Sequence, residues 1–210
     1  MTTRLCLVRH GETAWNAEHR VQGQLDAPLN HVGLAQAQAV ARALSGERFD
    51  AIYSSDLARA RLTAEATASV FDLPVRLDPE LRERHYGIFQ TLTYAEVKRR
   101  YPEDYARFER REPGYDFRTG ESLRSFYERA VRCMTAIAAR HAGEHVAVFT
   151  HGGILDKLYR YVTGLALSAP REFGIPNCGI NRLEADAAGW RILVWADDSH
   201  LEGALDDLPE

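Results

Sequence analysis

Cysteine is scarce and scattered in this chain: Cys6, Cys133 and Cys178 make up the whole complement of three. None of them has the short spacing of a zinc site or a redox dithiol. A disulfide framework is therefore not expected, and Cys6 and Cys133, each inside an apolar run, read as buried free thiols. Positive charge is not in excess either. The formal net charge of -4 argues against a general nucleic-acid binder, which is normally basic. No apolar stretch approaches the length of a membrane span, and the N-terminal residues lack the pattern of a secretory signal. The expectation is a cytoplasmic protein without nucleic acid or membrane as partner. Internal repeats, linkers and low-complexity segments are also missing, so 210 residues suggest one domain with a full core.

What the chain does have is a steady alternation of short apolar runs and helix-period segments. Residues 4–8 read as a buried strand, and 31–45 as a helix capped by Asn30 and stopped by Gly46. A strand at 51–53 precedes a helix at 56–71 with Asp56 as its cap, followed by a brief strand at 75–77. Thr93 and Glu96 form a capping-box pattern that opens a polar helix, and Pro102 starts a second piece. A strong helical period runs over 122–142 to Gly143, then a strand at 146–150 and a helix at 154–163. Segments 172–175, 179–185 and 190–196 read as short strands or hairpins, with Gly189 in a turn. The pattern predicts a three-layer α/β/α sandwich with a mostly parallel central sheet. Within a single domain over 1–201, the stretch 84–120, rich in Arg, Glu, Tyr and Pro, is expected to project as a helical cap. Residues 202–210 read as a flexible acidic tail.

Chemistry concentrates where strands end. Leu7-Val8 runs into Arg9-His10-Gly11, and Val148-Phe149-Thr150 runs into His151-Gly152. Parallel sheets bind ligands outside the carboxyl ends of their strands, so both histidines belong to one expected pocket. Arg59 follows the strand at 51–53, and Glu83 follows the one at 75–77. Two imidazoles, two guanidiniums and a carboxylate make an anion site with an acid beside it. Arginine forks suit phosphate, and a neutral imidazole can attack phosphorus. The second imidazole would serve best protonated, against the equatorial oxygens. His141 and His145 stand four apart, a spacing that binds metal on a helix, but Gly143 between them marks a helix end. They read as a solvated pair, and no metal site is expected.

The run Leu7 to Asn16, with Ser54-Ser55-Asp56-Leu57, Arg59-Ala60, Glu83-Arg84-His85-Tyr86-Gly87 and His151-Gly152, resembles the histidine phosphatase superfamily. This is the group with the phosphoglycerate mutase-like fold, and the match is to its phosphatase branch. The motifs occur in the family's order over nearly the whole chain. The resemblance implies a metal-independent phosphomonoester hydrolase without a cofactor, acting on a small phosphorylated metabolite. It implies His10 as the phosphorylated residue, Arg9, Arg59 and His151 as the phosphate pocket, and Glu83 as proton donor. Asn16, Gln22, Gly23 and Gly152 match pocket-lining positions, and Arg61 and Tyr86 match rim positions. A cofactor-dependent phosphoglycerate mutase is the main alternative, favoured by Glu83 to Gly87. The compact interval from there to His151 and Thr91 in place of a usual glycine weigh against it. A non-catalytic phospholigand-binding protein ranks lower, because His10 and Glu83 are both present. The oligomeric state is left open, with a homo-oligomer allowed.

Overall fold

Strand β1 (Thr3–Arg9) sends Leu5 and Leu7 to one side and Cys6 and Val8 to the other, all of them buried. A strand apolar on both faces must be covered on both, and the rest of the fold supplies the two layers. The computed structural model describes residues 1–201, so the acidic stretch 202–210 read as a tail lies outside the described residues.

After β1 come α1 (Ala14–Ala17), α2 (His31–Leu44), β2 (Ala51–Ser54), α3 (Ala58–Phe71) and β3 (Val75–Leu77). The segment between β3 and the next long helix holds α4 (Tyr94–Arg100) and α5 (Pro102–Glu109). The chain continues through α6 (Leu123–Arg140), β4 (His145–Thr150), α7 (Gly152–Thr163), β5 (Ile180–Asp186) and β6 (Gly189–Asp197). The six strands lie in the order β3-β2-β4-β1-β5-β6. The first four are mutually parallel, while β5 runs antiparallel to both β1 and β6. Helices α6 and α7 pack on one face with Leu5, Leu7, Val146 and Val148. Helices α2 and α3 pack on the other with Cys6, Val8, Ala147 and Phe149. The three-layer architecture and the mainly parallel sheet follow the alternating pattern of the sequence.

Caps explain most element boundaries. Asn30 accepts the Gly33 N–H at the start of α2, Ser122 accepts that of Ser125 at the start of α6, and Thr93 with Glu96 forms the expected box on α4. Three expectations are corrected. Asp56 does not cap α3, because both its oxygens are taken by Arg82 at 2.7 and 2.5 Å. No strand forms at 172–175. His141 and His145 are buried rather than solvated, with His141 set between the Tyr53 hydroxyl at 3.0 Å and Glu144 at 2.5 Å. His145 has a ring nitrogen 3.0 Å from the Arg48 carbonyl. None of the helices among the described residues is long and apolar enough to cross a membrane.

The stretch 84–120 has its own small apolar centre. Phe89, Tyr115 and Phe117 meet edge-on or tilted, with Val21, Leu92 and Val97 around them. This cluster is separate from the two sheet cores, and Phe108, Tyr115 and Phe117 line a cavity together with the strand-end residues Arg9 and Gly152.

Candidate active site

Strands β1 and β4 are parallel neighbours, with Arg9 opposite Thr150. The next residue of each strand is a histidine, so His10 and His151 emerge side by side, their ring centroids 5.2 Å apart and tilted by 58°. A hydrogen bond of 2.9 Å from the His10 N–H to the Thr150 carbonyl prolongs the ladder one step past the strands. Both rings are buried, His10 at 3% exposure and His151 at 0%.

The loop after His10 is held by close backbone contact. A Cβ on Gly11 would lie 2.6 Å from the Gly33 carbonyl oxygen in the first turn of α2, so only glycine fits. The Gly11 N–H donates to Thr63 Oγ1 on α3 at 3.0 Å. The Gly11 carbonyl in turn lies 2.7 Å from His10 Nδ1. A carbonyl only accepts, so Nδ1 carries the proton and the lone pair of the neutral ring is on Nε2. Burial, then Arg59 and Arg9, keeps the His10 imidazole well below its ordinary titration range. The free site therefore holds a neutral imidazole whose lone pair is on Nε2.

His151 is also pushed far down, by burial first and then by Arg59, His10 and Arg9. It is neutral in the ligand-free protein, and a bound dianion is what would restore the proton expected from the sequence. Its Nε2 lies 2.8 Å from Ser55 Oγ, and its buried Nδ1 has no partner among the described residues. Arg59, 1% exposed on α3, spends Nη1 on the Leu25 carbonyl and Nη2 on that of Gly23, at 2.9 and 2.7 Å. Burial pulls its pKa down to about 10, which leaves it cationic at neutral pH. Arg9 donates through Nη1 to the Ile175 carbonyl at 2.6 Å. The Nε atoms of Arg9 and Arg59 are buried without acceptors. Two guanidinium donors and an imidazole nitrogen left unsatisfied among themselves are the pattern of an anion pocket, since buried polar groups are otherwise paired.

Glu83 is clamped by backbone on both sides. Its Oε1 accepts the Arg84 N–H at 2.7 Å and its Oε2 the Gly153 N–H at 2.9 Å. Its own carbonyl accepts from Gln24 and Arg129. With Arg9, Gly152 and Gly153 it lines a cavity of about 530 Å³ under the 84–120 segment.

Of the expected binding residues, Tyr86 and Gly152 line this cavity, and burial raises the Tyr86 phenol well above its usual range. Asn16 lines a neighbouring cavity, and its side-chain oxygen accepts from Thr13. Gln22 is buried beside Gly23, whose carbonyl receives Arg59. Arg61 is not brought to the site. Two residues along a helix point to nearly opposite sides, so when Arg59 turns inward Arg61 faces out and pairs with Glu65 at 2.7 Å. Sequence reasoning passed over Ser55 behind His151, Asn177, which donates to the His10 carbonyl at 2.8 Å, and Gly153. Gly153 was legible as the second glycine after His151, whereas Asn177 lies in irregular chain with no periodic signal. Among the described residues no group of three or more His, Cys, Asp or Glu side chains could hold a metal ion.

The family model of the histidine phosphatase superfamily (branch 1) matches residues 5–198. Phosphoglycerate mutase-like protein 4 of Arabidopsis thaliana is 42% identical over 202 residues, 94% of this chain and 86% of that protein. Metal-independent phosphoserine phosphatase of the same plant is 41% identical over 202 residues, covering 95% and 83% of the two chains. The structure of phosphoserine phosphatase from Entamoeba histolytica in complex with 3-phosphoglyceric acid superposes with a TM-score of 0.85 at 28% identity, over 95% of this chain and 99% of that one.

Proposed function

The chain belongs to branch 1 of the histidine phosphatase superfamily, and on that footing we propose that it is a metal-independent phosphomonoester hydrolase working through phosphohistidine at His10. The observation that carries this reading is the Nδ1 contact of His10 with the Gly11 carbonyl, which leaves Nε2 as the basic atom in a pocket of unsatisfied cationic donors. Nε2 attacks phosphorus in line, the P–N bond forms, and the bond from phosphorus to the leaving oxygen breaks. Glu83 gives its proton to that oxygen. Water then attacks the phosphohistidine, Glu83 takes a proton from it, and the P–N bond breaks to release inorganic phosphate. Arg9, Arg59 and protonated His151 stabilise the equatorial oxygens, the charge a metal would otherwise supply.

The same reading takes 1–201 as one domain with 84–120 as its cap, and a small phosphorylated metabolite as substrate. The names of the relatives make O-phosphoserine and 3-phosphoglycerate the first substrates to assay. Hydrolysis is favoured over mutase turnover because transfer back to substrate needs a lid that excludes water, and the cap's basic residues are diluted by Glu103, Asp104, Glu109, Glu112 and Asp116. The test is a quench with labelled substrate in the presence of a chelator. An acid-labile phosphoenzyme that disappears with His10→Ala, together with phosphate release, is the expected result. Label surviving on His10→Ala sinks the nucleophile assignment. Formation of 2-phosphoglycerate from 3-phosphoglycerate and 2,3-bisphosphoglycerate faster than any phosphate release would make the protein a mutase.

A further inference from the structure

Next to the phosphoryl pocket the surface opens into two cavities, of about 530 and 560 Å³. They share three residues: Arg9, Tyr94 and Arg171. The first lies against Tyr86, Phe108 and Lys157, and the second lies against Trp15 and Asn16 of α1 and His19 just after it. Tyr94 is fixed by stacking on Phe108, with ring centroids 5.5 Å apart and planes 13° off parallel. Arg171 comes from the irregular chain between α7 and β5 and is exposed.

The other charges around this junction already have partners. Glu112 is held by Arg107 and Arg110, Asp156 by Lys157 and Arg160, and Glu83 by two backbone N–H groups. Of the two remaining acids of the linings, Glu109 faces Tyr105, and Glu12 accepts from the Asn30 side-chain amide at 2.8 Å. Arg84 donates to the Glu121 and Tyr115 carbonyls, Arg111 to the Leu167 carbonyl, Arg9 to the Ile175 carbonyl, and Arg20 to Glu18 and Glu96. Arg171 is the one lining arginine with no hydrogen bond or ion pair among the described residues. Burial is the main cause of the lowered pKa of Arg9 and Arg111, and the charge of Arg171 adds to it in both. A cation held near two others, with no carboxylate set against it, creates a local positive potential that a second anion would relieve.

We propose that Arg171, beside Tyr94, is a second anion-binding point that selects phosphomonoesters whose leaving group carries a further carboxylate or phosphate. The phosphoryl group then sits against Arg9 while the second anion reaches the junction of the two cavities, so the ester is held at both ends. This rests on the phosphatase reading above.

The test uses substrate pairs that differ in the second anion: 3-phosphoglycerate against glycerol 3-phosphate, and a sugar bisphosphate against its monophosphate. Arg171→Met keeps the apolar stem and removes the charge. It is expected to raise KM for the anionic member by about tenfold or more, the size of one charge-assisted hydrogen bond, with kcat held within about twofold. The neutral-tailed member should change by less than about twofold, and Arg171→Lys should recover most of the loss for the anionic one. The pair that responds identifies carboxylate or phosphate. Equal changes on both members of each pair, or none, overturn the assignment. Phosphoenzyme formation by the unaltered protein from p-nitrophenyl phosphate, which has no second anion, tests the phosphatase reading separately. If that label forms and the Arg171 variants fail to discriminate, only the role of Arg171 is wrong.

Discussion

A methyl group on Gly153 would lie 1.9 Å from Glu83 Oε1, and the same residue's N–H holds Glu83 Oε2 at 2.9 Å. The acid is thus positioned by a residue that must be glycine and that stands at the first turn of α7. Gly153→Ala is expected to displace the Glu83 carboxylate while leaving His10 and its Gly11 contact in place. Loss of a positioned acid costs about 10²–10⁴ in rate, and it matters most for a poor leaving group. Turnover of an alkyl phosphate should therefore fall by at least about tenfold more than that of p-nitrophenyl phosphate, with labelling of His10 by the latter retained. Parallel losses on the two substrates would mean that Gly153 serves folding alone. At this scale the strand-end residues were legible because a histidine following an apolar run is conspicuous. Arg61 was misplaced because motif spacing carries no information about which side of α3 a residue faces.

Helix α3 shows how an element can be completed from outside itself. Its N-cap Leu57 has no side-chain oxygen, and Asp56, the residue with the right chemistry, is turned to Arg82. The Ala58 N–H is instead taken by Asp26 Oδ2 at 2.7 Å, from the loop between α1 and α2, while Asp26 Oδ1 lies 3.8 Å from Arg59 Nη1. The same loop offers the Gly23 and Leu25 carbonyls to Arg59. Cap, loop and Arg59, the arginine proposed to bind phosphate, are therefore one mechanical unit. Asp26→Ala should cost about 1 kcal/mol in thermal or denaturant unfolding, as for a lost helix cap, and should raise KM proportionally more than it lowers kcat. Asp26→Asn, which keeps a capping oxygen, should recover the stability. Unchanged melting of Asp26→Ala would show that the outside cap contributes nothing. Capping within an element, as at Asn30, Ser122 and Thr93, is written in adjacent residues, but capping between elements is not.

For the whole molecule, the buried imidazoles tie stability to pH. His10 and His151 are held well below the ordinary histidine value, and His145 and His200 are lowered too, in each case chiefly by burial. A histidine unfolds to a pKa of about 6.5, so below that pH the unfolded chain binds protons that the folded one refuses. Stability contributed by these groups is present above the unfolded value and is lost as pH falls from there toward the folded values. Melting temperature should drop between pH of about 7 and 5, where carboxylates paired with arginines remain ionised. Vanadate or phosphate should lessen the drop, because a bound anion lets His151 keep a proton. A flat melting temperature across that window would contradict the buried, neutral state of the pair.

The amino-acid order alone settled the layered α/β plan, since runs such as Leu5 to Val8 and Val146 to Phe149 are apolar on both faces and alternate with helical periods. It also placed His10 and His151 at strand ends, because the apolar run stops where the buried strand stops. That β1 lies beside β4, and so sets the two imidazoles side by side, was decided by the sheet, whose strand order depends on contacts more than a hundred residues apart in sequence. The burial of His141 and His145, the turn of Asp56 toward Arg82 and the meeting of Arg9, Tyr94 and Arg171 were likewise tertiary outcomes. Each depends on which distant groups compete for the same atom or enclose the same space. Local spacing fixes the direction of a side chain relative to its own element, and only packing fixes what stands opposite.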